Sequence, residues 1–160
     1  MNRRTTTLLV AMMLLCCGWL SATNATEQPD IYSGYYSREG NDGIAAKVSG
    51  SSLYIKFYPD QWVVMLYVPY PYSLELKPDA LKKVFANVER KNSAYIRNRF
   101  GVLKEEAIAH VERFGMTKEN EARFECDGMA PCQVIFDGDT MDMVKAGIVS
   151  NHIIRFRRVK

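Results

Sequence analysis

Residues 51–70, "SSLYIKFYPDQWVVMLYVPY", constrain the fold more than any other stretch of the chain. Leu53, Ile55 and Phe57 alternate with Tyr54, Lys56 and Tyr58. Pro59, Asp60 and Gln61 then interrupt the run with turn chemistry. Beyond them Trp62, Val64, Leu66 and Val68 alternate with Val63, Met65 and Tyr67. A period of two, in β-branched and aromatic residues on either side of a short turn, specifies a β-hairpin. The second strand is apolar on both faces, so both faces must be covered.

Pro69 and Pro71 end this regular structure, because proline cannot donate to a ladder. A helix is predicted at about 78–91. Pro78 and Asp79 suit its first turn, and Leu81, Val84, Phe85 and Val88 form one apolar stripe. Lys82, Lys83, Glu89, Arg90 and Lys91 make a mixed-sign face that reads as solvated. Residues 94–114 are ambiguous. Leu103, Ala107, Val111 and Phe114 line up as a helix, which periodicity slightly favours, whereas Ala94, Ile96, Asn98 and Phe100 share a side if extended. The tail is plainer: "EARFEC", "CQVIF", "DTMDMV" and "NHIIRFRRV" read as short strands. Asp137-Gly138 marks a hairpin because glycine supplies the positive φ of a tight turn. The elements add up to an α+β fold, mainly antiparallel β.

The first 25 residues read as a signal peptide. Arg3 and Arg4 precede a short apolar run, Leu8 to Leu20, and small Thr23 and Ala25 mark a cleavage site. The run is too short to span a bilayer, so no transmembrane segment is expected after cleavage. Lipid anchoring through Cys16 or Cys17 is the lesser alternative, since neither follows the small residue such signals use. The expected location is periplasmic or secreted. Residues 26–45 read as a loosely ordered N-terminal segment in which "IYSGYYS" can form a short strand, and 46–160 as one β-rich domain.

Charge then excludes one class of partner. The chain carries 21 basic and 18 acidic side chains. A leader that takes two arginines leaves a net charge of about +1, with no electrostatic footprint for nucleic acid. The leader also takes two of the four cysteines. Cys126 and Cys132 remain. Zinc sites need closer pairs and more ligands, and thioredoxin-type chemistry needs Cys-x-x-Cys beside a βαβ unit. In an oxidising compartment one remaining pair reads as a disulfide.

No catalytic motif stands out. His110 and His152 are the only histidines, and no Gly-x-Ser-x-Gly, His-Glu-x-x-His or phosphate loop is present. Asp137, Asp139 and Asp142 lack the order of a calcium loop. No metal and no cofactor is expected, and the protein is not expected to be an enzyme. Arg155, Arg157 and Arg158 form a terminal basic cluster that reads as a solvated edge. The aromatics between Tyr54 and Tyr72 serve the core first. Among them Trp62, Tyr67, Tyr70 and Tyr72 are the candidate binding residues, since Tyr and Trp combine apolar area with a polar tip.

The order of "FYPDQW", the helix "ALKKVFANV", "SAYIRNRFGVLKEEAIAHVERF", the cysteine-linked hairpin, "VIFDGDTMDM" and "HIIRFRRV" resembles small lipocalin-like β-barrels of the bacterial envelope. The resemblance covers residues 50–160. Gln61 stands where that pattern has a turn glycine, and Gly34-Tyr35-Tyr36 where lipocalins have Gly-x-Trp. The resemblance implies a small barrel or strongly curved sheet with one packed helix, and it turns residues 94–114 toward a strand pair. The expected function is a non-enzymatic binding protein of the cell envelope, which holds a small apolar ligand or an envelope protein through the Trp62–Tyr72 region. A protein-interaction module, such as a periplasmic inhibitor or immunity protein, is the alternative.

Overall fold

The computed structural model describes residues 30–41, 44–70, 72–88, 94–98, 107–126, 130–145 and 151–160. The expected signal peptide lies outside them. Among the described residues there are nine strands: β1 (Tyr35–Arg38), β2 (Ser51–Phe57), β3 (Trp62–Pro69), β4 (Ala94–Asn98), β5 (Ala107–Lys118), β6 (Glu121–Cys126), β7 (Ala130–Asp137), β8 (Thr140–Lys145) and β9 (His152–Val159). Two helices, α1 (Ile44–Ser49) and α2 (Pro78–Asn87), and a 3-10 turn (Tyr72–Glu75) complete them.

Every strand pairing is antiparallel. The order β3-β2-β1-β9-β8-β7-β6-β5, closed by β3 against β5, makes a ring of eight strands. The β4 strand stands outside the ring. It pairs with Ala107–Val111 of β5, whereas β6 pairs with Phe114–Lys118. The fold is a small antiparallel barrel with one packed helix. Closure removes the edges that an open sheet would expose.

The alternation read from the sequence decides which side chains go inside. Leu53, Ile55, Phe57, Val63 and Met65 point inward with Phe114, Phe124, Val134, Phe136, Met141, Met143 and Phe156. At one end the rings interlock: Phe57 meets Phe114, Phe136, Tyr36 and Phe124 edge-on, at 5.1, 5.2, 6.0 and 6.1 Å between centroids. The opposite set of β2, β3 and β5 faces outward, where Trp62, Val64, Leu66, Val68, Ala109 and Val111 pack beneath Leu81, Val84 and Phe85 of α2. Both faces of β3 are covered, as its composition requires. The Tyr58 hydroxyl donates to the Phe85 carbonyl at 2.8 Å and fixes the helix to the wall.

Three local outcomes differ from the sequence reading. First, α2 ends at Asn87, and Val88 is extended (φ −72°, ψ 120°); the predicted residues 89–91 lie outside the described set. Second, periodicity alone favours a helix to Phe114, yet residues 107–118 form a strand. Ala107, Ala109 and Val111 face α2 while Phe114 faces the interior; an alanine-rich strand under a helix imitates a helical stripe. Third, Arg155, Arg157 and Arg158 do not form a free edge, because β9 is bonded on both sides. The segment 26–45, read as loosely ordered, supplies β1, which sits between β2 and β9.

The hairpin turns follow the local chemistry. Tyr58 N–H donates to the Trp62 carbonyl and Gln61 N–H to the Tyr58 carbonyl, at 2.9 and 3.0 Å. Gln61 sits at φ +63°, in the position a glycine would occupy without strain. Gly138 takes φ +57° between paired Asp137 and Thr140.

Candidate functional site

One cleft among the described residues lies outside the barrel, between the β1–β9 wall and the 3-10 turn with the residue that follows it. Pro69 ends β3, and the chain bends away. This bend carries Ser73, Leu74 and Leu76 over the outward face of β1 and β2. Ser37, Glu39 and Gly40 line it together with Tyr54, Arg157 and Val159. The volume, about 670 Å³, is that of a small-molecule site.

The lining is rigid. Asn41, 7% exposed, presents its amide to the backbone of Leu53 as an extra rung of β2. Its Nδ2 donates to the Leu53 carbonyl at 2.8 Å, and its Oδ1 accepts the Leu53 N–H at 3.0 Å. The Ser52 hydroxyl donates to the Asn41 carbonyl at 2.9 Å. The Tyr54 ring stands edge-on to Tyr35 with centroids 6.1 Å apart.

Two buried side-chain atoms of residues beside the cleft lack partners among the described residues. The Ser73 hydroxyl, on a residue 6% exposed, makes no hydrogen bond. Arg38 donates from its Nη2 to the Ser49 hydroxyl and the Ser51 carbonyl, both at 2.8 Å, but its buried Nε has no acceptor. No carboxylate pairs with Arg38 among the described residues. Burial lowers its pKa, an effect that neighbouring Tyr67 and Tyr54 oppose. Buried donors left unsatisfied are costly, and each requires an explanation.

The remaining charges are neutralised locally. Arg157 meets Glu39 at 3.4 Å, Arg158 Nε donates to Asp139 at 2.9 Å, and Arg155 grips Asp142 at 2.7 and 2.8 Å. The guanidiniums hold the carboxyls of Asp139 and Asp142 below the usual range. The terminal arginines therefore tie β9 to its surroundings and do not form an open basic patch.

The four aromatic candidates are dispersed. Trp62 is buried on the outer wall with the Arg113 guanidinium 4.1 Å from its ring centroid. Tyr67 faces the interior opposite Leu53 and Ile108 and is half-buried. Tyr70 and Tyr72 are half-buried on either side of the bend. None of the four lines the cleft, but Ser73 and Leu74 follow directly on Tyr72. Cys126 and Cys132 are joined across the β6–β7 hairpin, with Cα atoms 5.7 Å apart and both side chains buried. His110 lies inside the barrel wall, its Nε2 2.9 Å from Glu112. Among the described residues no group of three or more His, Cys, Asp or Glu side chains could hold a metal, and no helix is long and apolar enough to cross a membrane.

No family model matches the chain, and no curated protein matches it. Among solved structures, a Schistosoma mansoni fatty acid binding protein in complex with arachidonic acid is similar at 11% identity, over 83% of this chain and 99% of that one. The TM-score is 0.39. At that level the likeness has no weight for function, and the barrel rests on its own strand pairing.

Proposed function

We propose that this chain is a non-enzymatic binding protein that holds a small ligand in the cleft between the β1–β9 wall and residues 73–76. One observation carries the reading. Ser73, whose buried hydroxyl has no partner among the described residues, lines a cleft of ligand size. A bound molecule would satisfy it. Leu74, Leu76 and Val159 supply apolar contact beside it, among a larger number of polar side chains. The leader at residues 1–25 supports an exported protein of the cell envelope, where the Cys126–Cys132 bond persists.

Native mass spectrometry of the protein recovered from its own compartment tests this. A small molecule bound at one per chain, and absent from the Leu74→Trp variant, is the expected result. Leu74 is 50% exposed, so the larger ring blocks the cleft without entering the core. A wild-type protein free of any small molecule, and unshifted in melting by a broad metabolite panel, overturns the reading. Intact-mass measurement tests export: the mature chain is expected to begin at Thr26, and a chain that retains Met1 contradicts it.

A further inference from the structure

We infer that the outward face of β6–β9 is a contact surface for a second copy of this chain, paired about a two-fold axis that runs along β8. The inference is independent of the binding reading above. Helix α2 covers the outward side of β2, β3 and β5. On the outward side of β6–β9, by contrast, Ile153 is 66% exposed and Ile135 38%. Phe124, Val134, Met143 and Ile154 pack toward the interior, so the residue before or after each on its strand points out. Cross-strand register sets four of these, Arg123, Gln133, Val144 and Ile153, in one row.

A knob and a hole lie in this row. Ile153 is the knob, on β9. The hole is a cleft of about 230 Å³ over β7, lined by Arg123, Pro131, Gln133, Val144 and Asn151. A two-fold interface requires such self-complementarity, because each copy offers the same patch. An axis along β8 keeps the strands of the two copies aligned, the usual arrangement of sheets stacked about 10 Å apart. It lays β9 of each copy over β7 of the other. Ile153 then enters the partner's cleft, and Val144 meets its own mate. The same operation carries β6 over the partner's β1. Arg123 thereby comes toward the partner's Glu39, which follows β1 and bonds through its N–H to the Arg155 carbonyl. Arg123 has only Glu121, at 3.9 Å, and Glu39 meets Arg157 at 3.4 Å, so both can take a second, opposite charge. No like charges collide at the centre, because Asp142 and Arg155 neutralise each other through bonds of 2.7 and 2.8 Å. The contact therefore has an apolar middle and a charged rim, as stable interfaces do.

Sedimentation equilibrium of the purified protein, from micromolar to near-millimolar concentration, tests the assignment. Wild type is expected to form a dimer and nothing larger, since a two-fold contact closes on itself. Ile153→Glu is expected to weaken the dimer at least tenfold, with an unchanged circular dichroism spectrum because the position is exposed. Arg123→Glu is expected to weaken it by a similar factor through like-charge repulsion. Adding Glu39→Arg to that variant is expected to restore association, which a loss of general solubility or folding would not do. A wild-type protein that stays monomeric throughout, or a dimer indifferent to Ile153→Glu and to the charge reversals, overturns the inference. A monomer that binds vesicles of anionic phospholipid through Ile153 gives this face to a lipid surface and overturns it equally.

Discussion

Phe57→Ala tests whether the barrel interior is packed or hollow. Phe57 is 1% exposed, and its ring meets four others with centroids 5.1 to 6.1 Å away. Its replacement by alanine removes the side chain from the middle of that set and leaves a void that four interlocked rings cannot close. Phe→Ala changes in packed cores cost about 3–5 kcal/mol, and each edge-on pair adds about 0.5–1.5 kcal/mol beyond buried area. We expect a loss of about 4 kcal/mol, or about 12–16 °C in melting temperature for a domain of this size. Urea unfolding followed by far-UV circular dichroism measures it, with Phe57→Leu as an intermediate. A loss below about 1.5 kcal/mol would mean a slack, ligand-sized interior. The external cleft would then lose its standing as the principal site.

Other changes probe the turn, the staple and the buried tyrosines. Gln61→Gly relieves a left-handed backbone and is expected to add about 0.5–1 kcal/mol by the same unfolding assay, whereas an unchanged or lowered midpoint would refute the strain. The Cys126→Ala/Cys132→Ala double variant is expected to lose roughly 2 kcal/mol, the entropy of closing so short a loop, and two free thiols in the exported wild type would contradict the bond. Burial raises the hydroxyl pKa of Tyr35 and of Tyr36 to about 12, with Tyr54 and Asp79 adding at Tyr35 and Arg158 opposing at Tyr36. Raised folded values stabilise below the ordinary tyrosine pKa of about 10, and this contribution is lost as pH rises through about 12. Absorbance titration near 295 nm should show two tyrosines that ionise late, and all tyrosines titrating together near pH 10 would refute their burial.

The barrel was legible where alternation was strict. In residues 51–70 a period of two assigns every inward and outward side chain of β2 and β3, and the structure follows it. The "EARFEC" strand and the Asp137-Gly138 turn were legible for the same local reason. Residues 107–114 were harder, because Ala107 and Val111 pack under α2 and space apolar residues as a helix does. The cleft was not legible. It joins residues 37–41, 73–76 and 157–159, which meet only because β1 closes on β9. No spacing in one dimension encodes that closure. The aromatics pointed to the correct bend, but a tyrosine in a half-buried strand serves the wall. The informative group is a small buried serine whose hydroxyl has no partner among the described residues.

Amide chemical-shift mapping of the folded chain on addition of the small molecule recovered with it tests the central claim most directly. Shifts confined to residues 37–41, 73–76 and 157–159, saturating at one equivalent, are predicted. Shifts centred instead on the interior positions Tyr67, Ile108, His110 and Met143 would place the ligand inside the barrel and contradict the account.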